Sequence, residues 1–404
     1  MIVTPSRFVK AISSRDLDKI RIRLIVVANE MPQSRARLAQ SARRWLLDVP
    51  GTPDRLPQRP GEVVALSQAP SVNSLASLDR ELDTILASFD TNYVWNYGSV
   101  KEGLHDLYEK AKRDQWNGTT QLAWSTHVDP EGEIIPQSIN PLADYAPYRK
   151  LDGKERARLR HAQISLQLSQ FLHGEQGALI VASQLVGGVP WMDAKYYAGS
   201  QTMDEARHVE VFSRYLREKL EWEWPINASL KELLDATIKD SRWDFKYLGM
   251  QIIIEGLAMA AFGNLYQLAQ EPLLKELLKY VMKDESRHVA FGVLSLRDFY
   301  RDLPAGEMKD REEFIVYACE LMRNRLIGDD IARVMGWNAD EVRETFLASP
   351  PAQMFRKMLF MRIVPNLKKL GLLTPHVRTA FDQLGILQFE DYDAEEADRQ
   401  LGFL

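Results

Sequence analysis

One pattern constrains this chain more than any other: Asp204-Glu205-Ala206-Arg207-His208 returns 80 residues later as Asp284-Glu285-Ser286-Arg287-His288. A lone glutamate, Glu175 or Glu255, stands 30 residues before the glutamate of each copy. Four fixed letters at roughly one in twenty each would arise by chance about 0.003 times in a chain this long. Two copies therefore mark a duplicated helix pair. Residues three apart on a helix share a face, so each copy presents one carboxylate and one imidazole together. Apolar residues at helical spacing surround both lone glutamates: Leu168, Phe171, Leu172, Ala178 and Ala182 around Glu175, and Leu248, Ile252, Ala258, Met259 and Phe262 around Glu255. Both are thus expected within an apolar stripe. Four converging buried carboxylates cost several kcal/mol each, or protonate, unless their charge is cancelled. Two divalent metal ions would cancel it, with two neutral histidines completing the ligand set. Oxygen-rich ligation without thiolate favours iron or manganese over structural zinc, so the expected site is carboxylate-bridged and dinuclear.

The frame around the motifs is helical. Four long helices are expected at 154–187, 191–220, 242–270 and 272–301, broken at Gly187-Gly188-Val189-Pro190, at Trp224-Pro225 and at Pro272. No useful strand alternation occurs, so the fold class is all-α. Helical stretches are expected at 13–30, 33–48, 75–90 and 99–115, with Pro-rich loops at 50–70 and from Asp129 to Pro147. More helices follow within 310–385, and the acidic end from Glu390 to Asp398 reads as a solvated tail. This divides the chain into an N-terminal helical extension with Pro-rich loops (1–153), the bundle (154–301) and a C-terminal helical extension (302–404).

Composition narrows the function. The 51 basic and 56 acidic side chains leave a net charge of −5, which gives no global field to gather phosphate backbones, and nucleic acid is not expected as a partner. A single cysteine, Cys319, excludes a zinc finger or a Cys-ligated iron–sulfur cluster within the chain. Neither an export signal nor a membrane span is read from the sequence, so a cytoplasmic location is expected. The histidines outside the motifs (His105, His127, His161, His173 and His376) show no ligand spacing and read as solvated or hydrogen-bonded. Trp116 and Trp124 read as core residues or, less simply, as a pocket cover.

A glutamate followed after 28 residues by Asp-Glu-x-Arg-His, twice over, resembles the ferritin-like superfamily of non-haem di-iron carboxylate proteins. It is similar to the O2-activating branch that holds bacterial multicomponent monooxygenases, acyl-carrier-protein desaturases and arylamine N-oxygenases. The resemblance covers about 154–301 and implies a ferritin-like four-helix bundle with added N- and C-terminal helices. It implies Glu175, Glu205, His208, Glu255, Glu285 and His288 as metal ligands and catalytic residues, holding two Fe ions or a Mn/Fe pair, with O2 as co-substrate. By the same resemblance Asp204 accepts the outer N–H of His288 and Asp284 that of His208, while Arg207 and Arg287 tie these aspartates. Three departures stand out. Ala258 and Met259 occupy the turn where desaturases and monooxygenases carry a threonine. Val281 stands where the N-oxygenases have a third histidine, and Phe212 where ribonucleotide reductase keeps its radical tyrosine.

The expected activity is therefore an O2-dependent, di-iron oxidoreductase, a monooxygenase or desaturase acting on a small or lipophilic organic substrate. Iron handling by a ferroxidase is the alternative, and a helical scaffold around a structural metal site is a third reading. No dinucleotide fingerprint or iron–sulfur cysteine set is present, so an external electron donor such as a ferredoxin or flavin reductase is expected. The basic segment around Arg35, Arg37, Arg43 and Arg44 is a candidate surface for it. A homodimer is also expected.

Overall fold

The computed structural model describes residues 82–325 and 328–401. The expected helices at 13–30 and 33–48, the 50–70 loop and the basic arginine segment lie outside them. Helix α1 (Glu102–Arg113) precedes the bundle, whose first helix, α2 (Gly153–Gly188), starts at a reciprocal cap: Asp152 accepts from the Glu155 backbone while Glu155 accepts from that of Asp152. Helix α3 (Met192–Tyr215) continues through a π-helical turn to Leu220. Helix α4 (Ala228–Lys239) follows, and then the third bundle helix runs as α5 (Trp243–Tyr247), a π-helical stretch (Leu248–Ile254) and α6 (Glu255–Leu268). Helix α7 (Pro272–Arg301) has Pro272 in its first turn, where no intrahelical N–H is needed, and Glu271 capping the N–H groups of Leu273 and Leu274. No strand occurs among the described residues, and the architecture is all-α, four long helices packed as a bundle.

Close backbone approach sets the bundle's geometry at two glycines. A Cβ on Gly292 of α7 would lie 2.7 Å from Cβ of Gln251 in the π-helical stretch, and one on Gly177 of α2 would collide with Leu234 of α4. The helices meet there because nothing projects between them. The run Trp243–Leu268 is long and apolar enough to cross a membrane, yet 89% of its most apolar window is buried. It is a core helix of the bundle. Helix α1 packs across α3 and α7, and α8 (Ala305–Asn324) closes over α4 and the π-helical stretch.

Three expectations need correction. The described part of the 75–90 stretch, residues 82–90, is not helical. Its Leu82 and Leu86 are exposed, and the chain beyond is fixed as a strap by Asn92, whose backbone N–H donates to Gly187 O (2.9 Å) and whose Nδ2 donates to Gly188 O (2.7 Å). Helix α4 fills a region read as a break, because Leu230, Leu233, Leu234 and Ile238 form a buried stripe behind an Asn227 cap. The acidic end is tethered: Lys368 Nζ lies 2.7 Å from Asp391, Arg378 pairs with Glu390, and a helix runs over Ala394–Leu401. The Asp129–Pro147 connector is largely a loop, pinned by Leu142 and Tyr145, which pack with Leu159, Ala162 and Ile331.

Candidate metal centre

Each of the four bundle helices delivers its part of the duplicated motif to one buried point. Glu175 on α2, Glu205 and His208 on α3, Glu255 at the start of α6, and Glu285 and His288 on α7 are all at most 5% exposed. His208 Nδ1 stands 3.2 Å from Glu175, 3.3 Å from Glu205 and 3.1 Å from Glu285. His288 Nδ1 stands 3.1 Å from Glu205 and 3.5 Å from Glu285. Glu205 and Glu285 thus lie between the two imidazoles, with Glu175 and Glu255 outside them. Two overlapping clusters result, Glu175–Glu205–His208–Glu285 and Glu205–Glu255–His288, each with one donor atom per residue inside a 4.8 Å span.

Several of these atoms have no hydrogen-bond partner: Glu205 Oε2, Glu255 Oε2, both oxygens of Glu285 and His288 Nδ1. Leaving so many buried acceptors unsatisfied would cost 1–3 kcal/mol or more apiece. Converging carboxylates and imidazoles with free lone pairs are the donor set a pair of metal ions requires, so the residues fit the group the sequence implies. Without metal, protons carry the compensating charge. Burial and the neighbouring Glu285 push Glu175 and Glu255 well above the usual carboxylate range. Burial alone would lower both histidines, yet the surrounding carboxylates, Asp284 first for His208 and Glu205 first for His288, raise them well above theirs. Burial pushes Glu205 up, but His288 and His208 hold it below the usual range.

The opposite edge of each imidazole is held. His208 Nε2 meets Asp284 Oδ2 at 3.1 Å and His288 Nε2 meets Asp204 Oδ2 at 3.3 Å, the crossed pairing expected from the sequence. Arg207 donates to Asp204 (2.5 Å) and Asp284 (3.0 Å), and Arg287 donates to Asp284 (2.5 Å) and lies 3.6 Å from Asp204. Sequence reasoning missed two members of this shell. Gln115 donates to Asp204 (3.0 Å) and accepts from Arg207 (2.8 Å). Gln201 donates to Glu205 (2.9 Å) and Glu255 (2.8 Å). A polar residue one turn before Glu205, on the same helix face, was the available signal. Trp116 is buried and more than packing, since its Nε1 donates to Asp284 at 2.7 Å; Trp124 is buried and bonds Gly118 O.

The remaining histidines stay outside the cluster. His161 and His173 bond the carbonyls of Leu220 and Trp224, His105 lies 3.6 Å from Asp193, and His127 and His376 are exposed. A cavity of about 30 Å³ touches Glu175, Glu255 and Glu285 and is walled by Phe171, Ala258 and Phe262, with Arg325 on its lining.

No protein-family model and no curated protein matches the chain. Among solved structures, the chain is similar to a variant of an R2-like ligand-binding oxidase with anaerobically reconstituted Mn/Fe cofactor, at 19% identity and a TM-score of 0.43 over 66% of this chain and 93% of that one. It is likewise similar to an R2-like ligand-binding oxidase with aerobically reconstituted metal cofactor after photoconversion, at 18% identity and a TM-score of 0.43, again over 66% and 93%.

Proposed function

We propose that this protein is an O2-activating oxidoreductase of the dinuclear carboxylate type, with Glu175, Glu205, His208, Glu255, Glu285 and His288 as ligands to two iron ions or a Mn/Fe pair. The observation that carries the reading is the convergence of these six buried side chains from four helices, with five of their donor atoms left without a hydrogen-bond partner. Held by these six residues, a metal pair would supply two electrons for the reduction of dioxygen, so that an organic substrate beside the centre could gain one oxygen atom, the other leaving as water, or lose two hydrogens to water. The chain's own work is positional. Asp204 and Asp284 take the Nε2–H of the histidines, leaving each Nδ1 lone pair directed inward. Gln201 holds one oxygen of Glu255 and so turns the unpartnered Oε2 toward the centre. Phe171 and Phe262 keep that wall of the site apolar and limit water.

Sustained turnover calls for electrons from outside the chain, and a ferredoxin-type or flavin reductase partner fits that need. Protein loaded anaerobically with Fe2+ should bind two ions per chain and consume O2 in a single turnover, and should turn over repeatedly only with an added reductase system. One ion per chain would refute the dinuclear centre. Oxidation of many added Fe2+ ions per chain, retained as a mineral core, would replace the enzyme reading with ferroxidase storage.

A further inference from the structure

The proposed centre needs electrons from outside the chain, and a surface groove of about 490 Å³ between α1 and α3 leads toward it. That volume is within the range of cofactor sites, roughly 300–1,000 Å³. Helix α1 contributes Tyr108 and Lys112, with Gln115 just beyond its end; α3 contributes Lys195, Tyr196, Gly199 and Met203. Tyr108 and Tyr196 stack with ring centres 5.4 Å apart, and Met203 is 61% exposed. Together they form a soft apolar surface suited to a flat conjugated ring. The charged residues of the lining are both lysines. Lys112 spends one N–H on Glu109 (2.7 Å), and Lys195 spends two on the carbonyls of Val186 and Gly187 (2.8 and 3.0 Å). Each ammonium has three donors, so each keeps at least one for an anion. Gly199 leaves the groove open, since a Cβ added there would meet nothing within 4 Å.

Gln115 ties this groove to the centre. Its Nε2 donates to Asp204 Oδ1 (3.0 Å), and Asp204 Oδ2 meets His288 Nε2 at 3.3 Å. Two hydrogen bonds and one carboxylate therefore connect the lining of the groove with a metal ligand, and electrons tunnel better through such contacts than across an equal gap. We infer that the groove binds reduced flavin mononucleotide, with its ring against Tyr108, Tyr196 and Met203 and its phosphate on Lys112 and Lys195, and that electrons enter the protein there. This rests on the proposed dinuclear centre. The anionic flavin hydroquinone loses two electrons and one proton to become oxidised flavin; the proton leaves to water, and two trivalent metal ions, left by the reaction with O2, each take one electron and become divalent. A two-electron carrier matches that need. A concave groove of this size encloses a three-ring molecule, whereas a redox protein would need a flatter and larger face.

The test is quenching of flavin fluorescence on titration with the full-length, metal-loaded protein, with flavin mononucleotide set against riboflavin, which lacks the phosphate. The mononucleotide should bind about tenfold more tightly, as expected of a charge-assisted contact, and Lys112→Ala should remove most of that difference. Gly199→Leu should abolish binding of both flavins while keeping the metal content and melting temperature of wild type, because the new side chain projects into open space and α3 gains a better helix former. Gln115→Leu should bind the flavin as wild type does but slow its oxidation by the oxidised centre several-fold, followed anaerobically by the return of flavin colour. Equal binding of the two flavins would overturn the phosphate contact, and wild-type binding by Gly199→Leu would overturn the groove. An unchanged rate in Gln115→Leu would overturn the route through Asp204. Reduction of the centre by a reduced ferredoxin but not by reduced flavin would overturn the electron role. Metal analysis of the same samples separates the two proposals: wild-type protein that takes up no metal refutes the dinuclear centre, whereas two ions per chain without flavin binding refutes only the groove.

Discussion

In the first helix pair Glu175 rises from an uninterrupted α-helix, whereas its counterpart Glu255 follows directly on the π-helical stretch Leu248–Ile254. One turn before Glu205 stands Gln201, whose amide spans Glu205 and Glu255; one turn before Glu285 the same position is Val281, buried and mute. The outer aspartates differ as well. Asp284 collects His208, Arg207, Arg287 and Trp116, while Asp204 has His288, both arginines and Gln115. The repeated motif therefore gives a matched ligand set in two unequal surroundings. The cluster that includes His208 has four donors and the one that includes His288 has three, so the two ions should bind with different affinities, the His208 position filling first.

The largest test removes what the halves share. Glu205 is the member common to both clusters, so Glu205→Ala should abolish uptake of both ions, measured by metal analysis after anaerobic loading. Glu175→Ala and Glu255→Ala should each leave one ion, held more tightly in Glu255→Ala because the His208 set survives. Equal retention in all three variants would make the halves equivalent. Acid comes next. Glu175, Glu255 and both histidines are shifted upward and hold protons when no metal is present. Metal must displace them, so uptake should release protons and affinity should fall as pH falls, by about tenfold per unit for each proton displaced. A titration from pH 7.5 to 6 that showed no loss of affinity would contradict this.

Much of this asymmetry was hidden from the sequence for a physical reason. The four bundle helices and the six converging residues follow from periodicity, Pro and Gly breaks and the repeat, all local or self-referential signals, whereas the crossed Asp–His pairing was implied only by the family resemblance. The π-helical stretch is invisible, since Leu248–Ile254 is as apolar in either helix type. Helix α4 carried a readable stripe from Leu230 to Ile238 behind Asn227, overlooked between Pro225 and the next long helix. Leu82 and Leu86 mimic helical spacing but are exposed, and tertiary anchoring at Asn92 replaces the helix. Gln115, Trp116 and Arg325 reach the centre from outside the bundle, and no spacing rule connects them to it.

The outer aspartates give a smaller effect than the ligands. Asp284→Asn removes the acceptor charge shared by Trp116, both arginines and His208, and should weaken metal binding at the His208 position by about 10–100-fold, the usual range for such partners. Asp204→Asn should act in the same direction on the His288 position and less strongly, because Asp204 sits farther from its imidazole, at 3.3 Å against 3.1 Å. Stepwise titration with Fe2+ resolves which of the two ions is weakened. A reversal of the pairing, with Asp284→Asn weakening the ion at His288, would show that the arginine network and not the direct Nε2 contact sets ligand strength.

The smallest effect should come from the residue that most plainly separates the halves. Gln201→Val copies into the first helix pair the residue that the second pair already has at Val281. The variant fills similar apolar space but deletes the N–H donor to Glu205 and Glu255. One neutral-to-charged hydrogen bond contributes about 1.5–3 kcal/mol when buried, yet in the loaded protein the metal satisfies part of what Gln201 supplies. The expected loss is therefore only about three- to tenfold in affinity, larger at the His288 position, where Glu255 would be free to rotate its unpartnered oxygen away, than at the His208 position, which feels it only through Glu205. The thermal midpoint of the loaded protein should change little. The reciprocal Val281→Gln should not add a matching gain, because the counterpart carboxylate, Glu175, already has an imidazole contact through His208 at 3.2 Å. If instead the two substitutions shifted the two ions by equal and opposite amounts, the difference between the halves would reduce to this one amide, and the π-helical stretch before Glu255 would contribute nothing to it.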